Sequence, residues 1–276
     1  MNVQELKKTA NEVRKNIVTA VYYAKAGHPG GALSSAEIFT YLYMEEMNAD
    51  PADPSNPDRD RFVLSKGHSC PGLYGVMAEK GYFDREELKT FRHVGARLQG
   101  HPSMRMLPGI DMSTGSLGQG ISSACGMAMS AKIRNKDYRV YTLLGDGEIE
   151  EGQVWEAAMF AGAKHLDNLC VIVDNNNLQI DGEIGKVNSP YPIDKKFEAF
   201  NFHVVNVEDG HDFEELAAAF AEARSVKGMP TAIICKTLKG KGVSYMENEV
   251  EWHGKAPGEE LYKVAMADLE RIGETL

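Results

Sequence analysis

Two short apolar runs, residues 140–144 and 169–173, stand some thirty residues apart with a helix-like stretch between them. Each has the length of a buried strand, and the spacing matches one crossover between parallel strands. The first run stops at Gly145-Asp146-Gly147 and the second opens into Asn175-Asn176-Asn177. A crossover of this kind sets both stops side by side at the carboxyl edge of a sheet, where open α/β sheets bind their ligands. The remainder of the chain has to be arranged around that edge.

The residue types at the two stops suit a phosphate-bound magnesium ion, which takes hard oxygens from one or two protein groups and fills its shell with phosphate and water. Asp146 supplies a carboxylate and the asparagine loop an amide oxygen. Glycines on either side of Asp146 allow close approach of backbone to phosphate and expose amide donors. A glycine-flanked aspartate alone is more often only a turn. The asparagine-rich loop thirty residues later, ending in Ile180-Asp181-Gly182, is what makes the pair specific.

Elsewhere the pattern predicts helices over 3–25, from the Ser34-Ser35-Ala36-Glu37 capping pattern to about 47, and over 71–80, 84–93, 121–133, 213–224 and 258–272. Strands are predicted at 62–64, 201–207 and 231–235. At Gly27-His28-Pro29-Gly30-Gly31 glycine ends the first helix and proline is expected to forbid an immediate restart, which leaves His28 on a constrained turn. The expected fold class is α/β, a parallel sheet flanked by helices on both faces, in one domain spanning 1–276.

The formal net charge of −10 argues against a nucleic-acid surface, so an anionic ligand has to be held by local donors. No segment approaches the roughly eighteen apolar residues of a membrane helix, and residues 1–18 carry charges every few positions, unlike a signal peptide. A cytoplasmic protein with no membrane partner is expected. Cys70, Cys125, Cys170 and Cys235 are scattered without a C-x-x-C spacing and read as reduced, buried thiols.

Residues 114–120, TGSLGQG, precede a small-residue helix and form a candidate anion cradle, although close helix packing explains the glycines equally well. The stretch is neither a nucleoside-triphosphate loop, lacking its lysine, nor a dinucleotide fingerprint, lacking the preceding strand and the ribose-binding acid. Of the eight histidines, His28, His68, His101 and His253 lie in glycine-flanked loops, and the other four are set aside. One such histidine is ordinarily just solvent-exposed.

The GDG motif followed some thirty residues on by asparagine resembles the fingerprint of the thiamine diphosphate enzymes. The chain is most similar to the amino-terminal half of transketolase, through GHPGG, SKGHS, QGHPS, WHGKAP, DRDRFVLSKGH, TGSLGQG and KGKG, over about residues 10–260. The resemblance implies a thiamine diphosphate-binding fold of the diphosphate (PP) type. As metal ligands for Mg2+, or for Ca2+ or Mn2+, it implies Asp146, Asn176 and the backbone carbonyl of Leu178. Gly147, Lys239, His68 and His253 would meet the diphosphate, and Gly115, Ser116 and Leu117 the aminopyrimidine and phosphate region. His28, His101 and His253 would bond the sugar hydroxyls and shuttle protons. Glu151 falls where the family has a glutamate at the subunit interface. One departure is Gly31, where some transketolases carry a serine that touches the cofactor.

The family enzyme continues for hundreds of residues beyond the part matched here, through the pyrimidine-binding and C-terminal domains. Those regions supply the glutamate that activates the aminopyrimidine, and nothing in this chain matches it. The resemblance therefore implies one subunit of a split transketolase, moving a two-carbon ketol unit from a ketose phosphate to an aldose phosphate. It would be inactive without a separately encoded C-terminal subunit, and a heterotetramer is expected. The alternatives are half of another ketol-handling thiamine enzyme, deoxyxylulose phosphate synthase-like or specialised for other sugar phosphates, and a non-catalytic diphosphate-binding module.

Overall fold

Residues 1–276 are described by a computed structural model. Helix α1, Val3–Ala24, starts at a reciprocal capping box between Asn2 and Glu5 and stops at Lys25 in the left-handed region. The chain turns at Gly27, with φ of 138°, and then departs from expectation. Proline does not delay the restart but begins it: Pro29 opens a five-residue helix α2, Pro29–Leu33, with His28 as its N-cap. The first helical position needs no N–H donor, so proline is tolerated there.

The predicted helix over 34–47 is shorter and broken. Helix α3 covers Ala36–Tyr41 and passes into a wide π turn, Leu42–Glu46. Neither serine acts as its cap, because both hydroxyls are drawn into buried bonds elsewhere, Ser34 to Asp174 and Ser35 to the Gly31 carbonyl. Strand β1, Arg61–Leu64, and helix α4, Cys70–Lys80, fall where predicted. The helix expected over 84–93 is instead a six-residue 3-10 turn, Arg85–Thr90, after which Arg92 at φ 62° turns the chain.

The central crossover is present as β2, Val140–Gly145, helix α6, Gly152–Ala163, and β3, Leu169–Asn175. Helix α5, Gln119–Ile133, precedes it. After β3 come a two-residue hairpin, β4 (Leu178–Gln179) with β5 (Gly182–Glu183), and the short helices α7 (Ile184–Val187) and α8 (Ile193–Ala199). Strand β6, His203–Val207, begins two residues later than predicted because Asn201 occupies a left-handed turn. Helix α9, Phe213–Ser225, strand β7, Thr231–Lys236, and helix α10, Glu259–Thr275, complete the chain.

The five long strands form one parallel sheet in the order β1-β2-β3-β7-β6. Alternate residues of the central strands feed two separate cores, as period-two geometry demands. Tyr141, Leu143, Cys170, Ile172, Ile233 and Cys235 pack with α1, α3, α4, α9 and α10. Val140, Leu144, Val171, Val173, Ala232 and Ile234 pack with α5, α6 and α8 on the other face. The chain moves outward from β2 to β3 to β6 over the second face and returns from β6 to β7 over the first. Reversing both direction and face keeps one hand of crossover throughout. All four cysteines are free and buried, and no helix is long and apolar enough to cross a membrane.

This topology brings four strand ends to one edge. Ser65-Lys66 follow β1, Asp146 follows β2, Asn176 follows β3, and Thr237 to Lys239 follow β7.

Candidate functional site

A cavity of about 420 Å3 opens at that edge. Gly145 pairs with Asp174 in the sheet register, so the two loops leave the sheet in step. They touch directly: Asp146 Oδ2 accepts the Asn177 N–H at 2.5 Å, and Oδ1 accepts the Gly147 N–H at 2.8 Å. Asp146 is 2% exposed. Burial, and then the nearby Asp174 carboxylate, push its pKa up to about 7. It is a buried carboxylate whose hydrogen bonds come only from backbone.

Asn176 is buried one residue beyond β3. Its Nδ2 donates to Asp174 Oδ2 at 3.0 Å, while its Oδ1 accepts the Leu178 N–H at 3.1 Å. The Leu178 carbonyl accepts from the ammonium of Lys239 at 2.7 Å. That ammonium also donates to His253 Nδ1 at 2.9 Å, which leaves Nε2 of a neutral His253 ring to carry the proton. Burial lowers the Lys239 pKa to about 8 against the opposing pull of Asp146 and Asp174.

Three of the four singled-out histidines meet ring to ring. His28, His68 and His253 have centroids 5.2 to 5.5 Å apart in every pairing. Burial is the first cause of their depressed basicity, with neighbouring cations adding to it. His28 falls to about 4, His253 to about 3, and His68 well below its usual value. His101 is lowered by burial and then by Arg92, and it lies against Gly115, where a Cβ would come within 3.0 Å of the imidazole ring.

The glycines have identifiable steric reasons. A Cβ on Gly30 would lie 2.9 Å from the Trp252 carbonyl and 3.2 Å from the Lys239 stem, so GHPGG and the Lys239 loop fit only backbone to side chain. A Cβ on Gly120 would lie 2.6 Å from the Ser65 Cα. Within TGSLGQG, packing therefore explains Gly120, whereas Gly115 and Gly118 adopt φ of 141° and 79°.

Of the residues singled out from sequence, His28, His68, His101, His253, Gly115, Leu117, Asp146, Gly147, Asn176, Leu178 and Lys239 line the cavity, as does Gly31. Ser116 and Glu151 do not. Both side chains are exposed, and Glu151 begins α6 beneath Gly118, outside the cavity.

Sequence reasoning missed four residues, three of them buried and the fourth, His211, nearly so. Lys66 and Asp174 form an ion pair at 2.5 Å with side chains 2% and 0% exposed. Glu148 accepts from Ser65 Oγ at 2.5 Å, Gly118 N at 2.9 Å and Gly145 N at 3.0 Å, tying the loops after β1 and β2 to the one before α5. Burial pushes its carboxyl up. His211, set aside although it follows Gly210, accepts the Leu238 N–H at 2.9 Å through Nε2 and faces Glu37 through Nδ1 at 2.9 Å. Arg14 bonds Glu37 at 2.7 Å and the Lys241 carbonyl at 3.0 Å, so this trio braces both sides of Lys239. A charged residue closing an apolar strand, as in LCVIVDN, was the available signal for Asp174.

The profile of the family described as "Transketolase, thiamine diphosphate binding domain" matches residues 5–269. The chain is 44% identical over 269 residues to a 6-deoxy-6-sulfo-D-fructose transketolase subunit of Clostridium sp. (strain MSTE9), covering 98% of each. It is 41% identical over 273 residues to an apulose-4-phosphate transketolase subunit of Phocaeicola vulgatus, covering 99% of this chain and 96% of that one. Mouse transketolase is 46% identical over 257 residues, but the match spans only 40% of its length. Transketolase from Campylobacter jejuni superposes with a TM-score of 0.91 at 36% identity, over 98% of this chain and 43% of that one. The chain belongs to the transketolase family, as its thiamine diphosphate binding domain.

Proposed function

We propose that the chain is the diphosphate-binding subunit of a two-chain transketolase that moves a two-carbon ketol unit from a ketose phosphate to an aldose phosphate. The observation carrying this reading is the convergence of Asp146, Asn176, Leu178, Lys239 and the four loop histidines on one cavity. The need for a second chain is supported by end-to-end similarity to relatives named as subunits.

The residues present fit both the cofactor and its metal. Asp146, buried, bonded only to backbone N–H and raised to about 7, is short of a cation. The Leu178 carbonyl already accepts a positive charge. His28 Nδ1 and Thr114 Oγ1 are buried without a partner beside this cavity. Asp146, Asn176 Oδ1 and the Leu178 carbonyl would hold Mg2+, a hard-oxygen set that leaves positions for phosphate. Gly147, His68 and Lys239, with the Gly115–Leu117 backbone, would hold the diphosphate. When bound, thiamine diphosphate supplies a nucleophilic carbon and an electron sink.

The chain's own contribution is position and proton transfer. His28 and His253 would face the sugar as uncharged rings, with His101, its basicity also lowered, beside them. A neutral imidazole can take a hydroxyl proton and return it, which cleavage and re-formation of a carbon-carbon bond next to a hydroxyl require. Lys239 fixes the His253 tautomer so that Nε2–H is the available donor. Glu151, on the exposed side of Gly118, is assigned to the contact with a neighbouring subunit; one copy of each chain makes a heterodimer, and two-fold pairing of such heterodimers gives the expected heterotetramer.

The test is reconstitution. The chain mixed with its partner, thiamine diphosphate and Mg2+ transfers ketol units, and a comparable rate from the chain alone overturns the two-chain reading. The relatives named for sulfofructose and apulose phosphate favour a specialised sugar, so the donor panel includes both.

A further inference from the structure

Asp174 is the penultimate residue of β3, opposite Gly145 on one side and Cys235 on the other, fully buried. Four segments donate to its carboxylate. Oδ2 receives Lys66 Nζ at 2.5 Å, Ser34 Oγ at 2.6 Å and Asn176 Nδ2 at 3.0 Å, and Oδ1 receives the Thr237 hydroxyl. Those donors come from the junction before α3, the end of β1, the loop after β3 and the end of β7. Lys66 is itself held by the Gly31 carbonyl at 2.8 Å and Ser35 Oγ at 2.7 Å.

A carboxamide is close to symmetric in shape, and its two ends are told apart only by what they face. At Asn176 one end faces a carboxylate, which accepts and cannot donate, so the amide nitrogen has to be there. The oxygen is thereby turned away from Asp174, to the end that takes the Leu178 N–H. We propose that Asp174, with Lys66 as its counter-ion, is the positioning residue that turns the Asn176 oxygen to the metal. This rests on the metal reading given above. Without the carboxylate the amide is free to present an NH2 group to the cation, which removes one ligand and adds repulsion.

Partners that orient a metal ligand from behind are worth about 10–100-fold in metal affinity. The experiment measures Mn2+ binding, by electron paramagnetic resonance, to the reconstituted two-chain complex with thiamine diphosphate present. Asp174→Asn is expected to weaken Mn2+ about 10–100-fold. The exchanged pair, Asp174→Asn with Asn176→Asp, is expected to recover most of that loss. A carboxylate at 176 needs no orienting, and the amide at 174 donates back to it.

Removing one member of a buried ion pair can unfold a protein, so both variants are also made on a Lys66→Met background, where no cation is stranded. The same order of affinities is expected there. Asp174→Asn binding Mn2+ as tightly as the unaltered complex overturns the proposal. So does an exchanged pair that melts normally yet binds no better than the single variant, which is what a purely structural role predicts. If the unaltered complex fails to bind Mn2+, the metal reading itself falls.

Discussion

Replacing Asp146 by asparagine is expected to stabilise the cofactor-free chain while destroying the proposed metal site. The carboxylate's pKa of about 7 in the fold stands against an ordinary 3.8. That is a difference of about three units, and at 1.36 kcal/mol each it comes to about 4 kcal/mol. A group raised in the fold contributes stability that is fully present below its unfolded value, about 4, and lost as pH rises through about 7. Above pH 7 the folded chain therefore carries an ionised Asp146 at a cost of about 4 kcal/mol. Asparagine removes that cost but can accept only one of the two backbone N–H groups now held at 2.8 and 2.5 Å. The stranded donor costs about 1–3 kcal/mol. The net gain is about 2 kcal/mol, which corresponds to a rise in Tm of about 4–8 °C at pH about 8. At pH about 4 the gain disappears, because the wild-type carboxyl is then neutral as well. Mg2+ with thiamine diphosphate should raise the melting temperature of the wild-type chain at pH about 8 and leave Asp146→Asn unmoved. Thermal melts at the two pH values, with and without ligand, read all of this. A variant that melts no higher than wild type at pH about 8, or gains equally at both, refutes the reasoning.

Two further outcomes test the packing and the histidines. Gly162→Ala should cost about 3 kcal/mol or more, or give no soluble chain, because its Cβ would stand 1.9 Å from the Phe200 carbonyl oxygen. Circular dichroism melts check this, and a melting temperature within a degree or so of wild type contradicts it. Nitrogen-15 spectra of the imidazoles should find His28 and His253 uncharged from pH about 6 to 8, since their pKa values lie at about 4 and about 3. An inflection near the free-histidine value of about 6.5 contradicts the cleft geometry.

The sheet and its working edge were legible because β1, β2, β3 and β7 are apolar on both faces and end in conspicuous punctuation. Crossover length alone set Asp146 beside the asparagines at 175–177, and the family resemblance picked out Asn176 among them. Local motifs carried His28, His68, His101 and His253, each marked by adjacent glycine. What stayed hidden is long-range. Ser34 and Asp174 lie 140 residues apart, and Lys66 and Asp174 lie 108 apart. The Ser34-Ser35 pattern signals a helix cap, but a buried carboxylate and ammonium are stronger partners than a backbone N–H. Likewise the missing N–H of Pro29 suggests a stop, when a first helical turn has no use for that donor. The Arg14–Glu37–His211 brace joins α1, α3 and the loop before α9, and nothing in the local sequence of any of them marks the pairing.

The cavity's charges form two tiers with different work. At the back, Lys66 and Asp174 neutralise each other, and Asp174 falls below its usual pKa despite full burial because Lys66 and its hydroxyl donors hold it ionised. In front, Asp146 and Lys239 are both driven toward neutrality by burial, one to about 7 and the other to about 8. A buried carboxylate and a buried ammonium that touch are normally held charged by each other. Here Asp146 bonds only to backbone and Lys239 turns to a carbonyl and an imidazole, so each feels the other's charge only through space, which does not offset burial. A divalent cation on Asp146 and an anionic diphosphate at Lys239 would relieve each of them. Because Lys239, after burial, also depresses His253, one residue would both receive the anion and keep a neighbouring ring uncharged for the proposed proton transfer. The bracing of its loop by His211 and Arg14 then follows as a requirement. A displaced Lys239 would forfeit both functions at once.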